Sequence, residues 1–245
     1  MNKLHLYLSF LLFSILFACS NKIKYVSNNS SISIDTTLSN YKNATELITP
    51  YKTALDAEMN EVLVISAEEF PKEKGKPETK LGNLVADLSL EIATEIYNDS
   101  IDFCLLNFGG LRTSLPKGEI TIGKIFELMP FENELVVLTL NKDSLKSLIH
   151  YLNSVGGQPI SGNISFKFSG KEFILDENLF PNNYVKVLTS DYLAGGGDKM
   201  NFFLNPIKTE KVNIKLRDAI IKYCIQENSK GNKLTSNIDG RITFE

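Results

Sequence analysis

Three short segments of the chain carry side chains suited to holding a small molecule. They are Asn107-Phe108-Gly109-Gly110-Leu111-Arg112, Met129-Pro130-Phe131-Glu132-Asn133 and Tyr192-Leu193-Ala194-Gly195-Gly196-Gly197-Asp198. The guanidinium of Arg112 offers a planar fork to a phosphate or carboxylate. Asp198 can accept two hydrogen bonds from vicinal hydroxyls, as acidic residues do on ribose. Phe131 and Tyr192 flank turns, where rings can face outward and clamp a planar ligand, and stacking of a base on a ring contributes roughly 1–3 kcal/mol. Glycines placed where strands end are expected to take φ > 0 and let the backbone approach a ligand closely. Two rings, a diol acceptor and an anion fork together describe a nucleoside or nucleotide pocket. Each residue also has a plainer reading: a surface salt bridge for Arg112, an Asx-turn or helix cap for Asp198, core packing for the two rings.

Other chemistries find no support in the residues present. Of the two histidines, His5 lies in the N-terminal apolar segment, which leaves His150 beside a helix's apolar row, where a surface or partly packed histidine is expected. One histidine without clustered cysteines provides neither a zinc site nor a His-rich two-metal hydrolase centre. The chain has no Gly-x-Ser-x-Gly elbow and no Gly-x4-Gly-Lys phosphate loop. Asp35 and Asp176-Glu177 read as solvated loop charges. Nothing assembles a nucleophile, a base and an oxyanion site.

The elements that must position these segments alternate between helical and strand patterns. A helix is expected over Thr45–Met59, a strand over Val62–Ser66 and an exposed loop over Phe70–Thr79, which holds two prolines and a glycine. Leu81, Leu84, Val85, Leu88, Ile92 and Ile96 recur at helical spacing. Ile101–Leu106 reads as a buried strand that delivers Asn107 to its turn. A brief strand Glu119–Thr121, a short helix to Leu128 and a buried strand Leu135–Leu140 follow. The helix marked by Leu145, Leu148, Ile149 and Leu152 ends at Gly156-Gly157. Asn163–Phe168 and Tyr184–Leu188 alternate as half-buried strands do. A last helix with Leu216, Ala219, Ile220, Tyr223 and Cys224 on one face precedes the strand Gly240–Phe244. Antiparallel pairs mixed with helices predict an α+β (mixed α/β) fold, a mixed sheet with flanking helices.

The 245 residues, 43% hydrophobic and 22% charged, suit one globular domain with a sizeable core. A net charge of -3 gives no reason to expect a nucleic-acid polymer as partner. Residues 1–18 read as a signal peptide, because the apolar run Leu6–Ala18, about 13 residues, falls short of the roughly 20 needed to span a membrane. Leu16-Phe17-Ala18-Cys19-Ser20 resembles a bacterial lipoprotein processing site, which implies lipid on Cys19 and a tether over 19–41. The domain is then expected over 42–245, held in the cell envelope by lipid on a bacterial membrane, with the outer membrane and periplasm favoured. Plain secretion, with Cys19 an ordinary thiol, is the alternative. Cys104 and Cys224 read as free buried thiols, with one disulfide the other choice.

Taken in order, Asn-x-Gly-Gly-Leu-Arg from Asn107, Gly-x-Ile-Thr from Gly118, Pro-Phe-x-Asn from Pro130 and aromatic-Leu-Ala-x-Gly-Gly-Asp from Tyr192 resemble the C-terminal domain of bacterial and animal 5'-nucleotidases. That family includes UDP-sugar hydrolases and 2',3'-cyclic nucleotide phosphodiesterases. The likeness runs from about residue 45 to 245 and includes Leu81-Gly82-Asn83 at the start of the long helix. It implies that Phe131 and Tyr192 sandwich the base and that Asp198 holds the ribose hydroxyls. Asn107 and Arg112 would contact the sugar and the substrate's polar groups, with Gly110 and Gly197 completing the substrate-binding set. A further substrate-contacting arginine of the family falls at Gly75 here, between Lys74 and Lys76, and a lysine does not reproduce the bidentate fork.

In that family the metals and the catalytic His-Asp pair belong to an N-terminal metallophosphoesterase domain. The resemblance therefore implies a substrate-recognition half with no catalytic or metal-ligating residue of its own, in nucleotide catabolism. A separate metallophosphoesterase chain would be its partner and would carry the divalent metals. The alternative is a nucleoside- or nucleotide-binding lipoprotein that does not hydrolyse its ligand.

Overall fold

A central strand, Glu134–Asn141, is buried along nearly its whole length, and its side chains divide between two cores. Leu135 and Val137 enter one, while Val136, Leu138 and Leu140 enter the other, as the two-residue period of a strand requires. In the computed structural model, residues 31, 33, 41–170, 172–173 and 183–245 are described. The expected signal segment, Cys19, Asp35 and Asp176-Glu177 lie outside them, as does most of the expected tether. The chain divides into residues 1–47 and the compact unit Ile48–Glu245.

The elements in chain order are α1 (Lys42–Met59), β1 (Val62–Ser66), α2 (Lys80–Ile96), β2 (Phe103–Cys104), β3 (Gly118–Thr121), α3 (Ile122–Leu128), β4 (Glu134–Asn141) and α4 (Lys142–Val155). They continue with β5 (Phe166–Ser169), β6 (Glu172–Phe173), β7 (Tyr184–Ser190), α5 (Asp191–Ala194), β8 (Lys208–Lys215), α6 (Leu216–Ser229) and β9 (Ile242–Phe244). Helix α1 buries none of its residues. The main sheet has four strands in the order β2-β7-β4-β8. Strand β2 runs parallel to β7, while β4 runs antiparallel to both β7 and β8, so the sheet is mixed as expected. Strands β1 and β3 form an antiparallel pair, and β6-β5-β9 a small three-stranded sheet.

Helices flank the main sheet. On one side Leu84, Val85, Leu88 and Ile92 of α2 pack with Leu216, Ala219 and Ile220 of α6 and with the β1–β3 pair. On the other, Leu145, Leu148, Ile149 and Leu152 of α4 pack with Phe166 and Phe168 of β5. Helix α4 stops at Gly156, whose left-handed φ of 76° closes the last turn and which is the expected terminator.

Several local expectations change. The Phe70–Thr79 segment is irregular but only partly exposed, because Phe70, Glu78 and Thr79 are buried. The expected strand Ile101–Leu106 contracts to Phe103–Cys104 plus a bridge at Leu105, and that expected over Asn163–Phe168 begins only at Phe166. Strand β8 has no counterpart in the sequence reading; it is a largely exposed sheet edge, Lys-Thr-Glu-Lys-Val-Asn-Ile-Lys, whose hydrogen-bond partner β4 lies far away in the chain. Cys104 and Cys224 are free and buried, and burial pushes both thiols up, Cys224 to about 12.

Candidate functional site

Strand direction brings the three candidate segments to one place. The parallel strands β2 and β7, in register Cys104↔Leu188, both end where the antiparallel β4 begins, opposite Ser190 at Leu135. The Asn107 turn follows β2, the Tyr192–Asp198 segment follows β7, and the Pro130–Asn133 turn precedes β4. All three therefore meet at the carboxyl end of the parallel pair, where open α/β sheets commonly place ligands.

The first corner is a single 3-10 turn, Phe108–Gly110, whose glycines do not take positive φ. They are needed for close approach. A Cβ on Gly110 would stand 2.9 Å from Asn107 Oδ1, and one on Gly109 3.1 Å from Asp198 Oδ2. The turn rests on helix α2, where the bare Cα of Gly82 leaves room for the Phe108 ring and Thr79 caps the helix through Gly82 N–H at 2.9 Å. In the second corner, too, the expected positive φ falls on only one of three glycines, Gly196, at 85°. The next left-handed residues are Asp198 at 51° and Lys199 at 64°. Gly197 serves by its size: a Cβ there would lie 2.5 Å from the Tyr192 ring.

A cleft of about 280 Å³ lies between the corners, lined by Asn107, Gly109, Gly110, Arg112, Phe131, Asn133, Tyr192 and Asp198. Six of the seven sequence-derived candidates line it, and the seventh, Gly197, lies beneath the Tyr192 ring. Both rings are open to solvent, Phe131 at 37% and Tyr192 at 49%. The Asn107 amide donates to Asp198 Oδ2 at 2.6 Å, and the Tyr192 hydroxyl donates to Oδ1 at 3.0 Å. The Arg112 guanidinium lies 5.8 Å from the Phe131 ring centre and donates to the Gly109 carbonyl at 3.1 Å.

Several contributors escaped the sequence reading. Asn133 lines the cleft; its signal was present, since it closes the Pro-Phe-x-Asn segment. Lys72 donates to the Arg112 carbonyl at 3.2 Å, and burial, then repulsion from Arg112 and Lys74, holds its ammonium below the ordinary value. Lys76, next to Gly75, is instead paired with Glu73. Arg217, from the first turn of α6, holds the aromatic turn: it donates to the Phe131 carbonyl at 3.4 Å and to Glu132 at 2.5 Å, and its guanidinium covers Phe126 at 4.2 Å. Lys215 also binds Glu132, and the two cations lower that carboxyl to about 2. No local pattern marks Arg217 or Lys72 for these roles.

The donor set does not suit a metal ion, because the cleft offers one carboxylate, already hydrogen-bonded, beside a guanidinium. Among the described residues no group of three or more His, Cys, Asp and Glu side chains is placed to hold one. His150 is exposed, as expected. Among the described residues no helix is long and apolar enough to cross a membrane.

Residues 61–205 match the family described as 5'-nucleotidase, C-terminal domain, over more than half of the chain. The chain belongs to the 5'-nucleotidase C-terminal domain family. It is 28% identical over 184 residues to the trifunctional nucleotide phosphoesterase protein YfkN of Bacillus subtilis (strain 168), a match covering 67% of this chain and 12% of that protein. It is 30% identical over 132 residues to the 5'-nucleotidase of Vibrio vulnificus (strain CMCP6), covering 49% of this chain and 22% of that protein. Among solved structures, a 5'-nucleotidase precursor from Thermus thermophilus shares the fold with a TM-score of 0.67 at 22% identity, over 83% of this chain and 43% of that one. The chain thus spans less than half the length of each of these proteins.

Proposed function

We propose that this 5'-nucleotidase C-terminal domain is the substrate-recognition half of a nucleotide phosphohydrolase. One observation carries the reading: an anion fork, a diol acceptor and two solvent-facing rings line a single cleft of about 280 Å³. In this reading the base enters between Phe131 and Tyr192. The ribose hydroxyls donate to the free lone pairs of Asp198, whose carboxylate Asn107 and Tyr192 already orient. Arg112 receives an anionic group, with the ammonium of Lys72 anchored on its carbonyl oxygen adding positive potential.

The metals and the attacking water are assigned to a separate metallophosphoesterase chain. Lipid on Cys19 would hold the domain at a bacterial envelope membrane, and sharing that membrane would raise the effective concentration of the two chains. The experiment is calorimetric titration of the domain with adenosine and AMP, followed by phosphate release from AMP with a divalent metal, with and without a metallophosphoesterase chain from the same organism. Saturable binding, with phosphate released only when both chains are present, is expected. Metal-dependent phosphate release by the domain alone overturns the division of labour, and no binding of either ligand overturns the nucleoside cleft.

A further inference from the structure

Asp198 takes a conformation that most L-residues avoid, though an aspartate tolerates it better than most. Its φ of 51° and ψ of 29° are left-handed, and Lys199 follows at 64°. In that region the Cβ of an L-residue crowds the carbonyl oxygen, so two successive non-glycine residues stay there only when their surroundings insist. Two of the groups that insist act on the carboxylate, Asn107 and Tyr192. A third acts on the backbone. The hydroxyl of Tyr151, from the last turns of α4, donates to the Asp198 carbonyl at 2.9 Å.

Tyr151 is itself seated on two sides. Its ring tilts against Phe202 with centres 5.4 Å apart. Gln158, beyond the end of α4, reaches the Tyr151 hydroxyl and accepts the Phe108 N–H at 2.9 Å. One short relay thus joins the Asn107 corner to the Asp198 corner from behind. Burial pushes the Tyr151 hydroxyl above its ordinary value against the opposing influence of Gln158, and nearby Asp198 adds to the rise, so the group remains a donor. Tyr151 does not line the cleft.

We propose that Tyr151, packed on Phe202, is a positioning residue that keeps Asp198 left-handed with its carboxylate turned into the cleft, and so sets the preference for a ribose diol. The inference rests on the nucleoside reading of that cleft. Without the hydroxyl, the Asp198 carbonyl is released and the residue relaxes toward an ordinary backbone conformation. Its carboxylate then turns away from Asn107 and from the sugar edge. A sugar without vicinal hydroxyls makes no use of that carboxylate and is indifferent to the change.

The test is calorimetric titration of wild type, Tyr151→Phe and Gln158→Leu with adenosine and with 2',3'-dideoxyadenosine, alongside a crystal structure of Tyr151→Phe. Wild type is expected to prefer adenosine. Tyr151→Phe is expected to shrink that preference by roughly three- to tenfold, the scale of one neutral hydrogen bond, with dideoxyadenosine binding unchanged. Gln158→Leu should shift the ratio in the same direction. An unchanged ratio, or an equal loss for both ligands, overturns the positioning role. So does a Tyr151→Phe crystal structure with Asp198 still left-handed and bonded to Asn107, whatever the protein binds. Wild type that binds neither ligand overturns the nucleoside reading instead, and the inference with it.

Discussion

Asn107 and Asp198, 91 positions apart in the chain, meet across 2.6 Å, with the amide of one donating to the carboxylate of the other. The bond ties the first glycine corner to the end of the second. It also orients the group proposed to receive the sugar. Hydrogen bonds to a charged group contribute about 1.5–3 kcal/mol, so Asn107→Ala should weaken adenosine binding roughly tenfold to a hundredfold. Calorimetry checks the loss, and an unaltered far-UV circular dichroism spectrum shows that the fold survives.

The clamp can be tested from below as well as directly. Gly197→Ala places a Cβ 2.5 Å from the Tyr192 ring, which must then leave its seat. Phe131→Ala removes the opposite ring. Each should weaken adenosine binding by about fivefold to a hundredfold, the range that corresponds to roughly 1–3 kcal/mol for base stacking. Equal affinity in both variants would show that the rings do not hold the base.

Glu132 makes low-pH stability informative. Lys215, then Arg217, hold its carboxyl at about 2, against an ordinary value of 4.5. A carboxyl depressed by folding contributes stability that is full above its unfolded pKa and disappears as the pH falls through its folded one. The Glu132 contribution is thus expected to fade between about pH 4.5 and about pH 2. In thermal unfolding, the difference between wild type and Glu132→Gln should be largest above pH 4.5 and shrink toward pH 2. A difference that stays constant with pH would place the stabilisation elsewhere.

Arg241 anchors the end of the chain to the body. Almost fully buried, it donates to the Ile160 carbonyl at 2.8 Å, to Asp87 at 2.9 and 3.0 Å and to Asp239 at 2.8 and 2.9 Å. The buried Glu78 carboxylate lies 3.8 Å away and accepts the Asp239 and Gly240 N–H groups. Removing one member of a buried ionic cluster costs about 3–5 kcal/mol, and Arg241→Met should fall at the low end because Asp87 and Asp239 can turn to water. Urea unfolding measures this loss, and adenosine affinity should stay within about twofold at a temperature where the variant remains folded.

Much of the architecture could be read from local pattern. Helices α2 and α4 and strands β1 and β4 stand close to where apolar spacing puts them, because each carries a continuous buried face and the helices have clear ends. The short strand β2 and the charged edge β8 did not read true. Their ladders are completed by β7 and β4, and a strand that borrows its stability from a distant neighbour leaves little trace in its own residues. The glycine corners were found for a reason that needed revising. Close approach, not positive φ, explains Gly109, Gly110 and Gly197, and the strain sits on Asp198.

The sequence by itself determined which side chains the cleft offers, since a guanidinium, a carboxylate and two rings beside turns are properties of residue type and local spacing. Tertiary structure alone decided that they face one another. Strand order and direction depend on burying both faces of β4 and β7 at once, a condition no single segment carries. Only that arrangement places the ends of β2 and β7 beside the start of β4 and sets Tyr151, Gln158 and Arg217 behind the groups they hold.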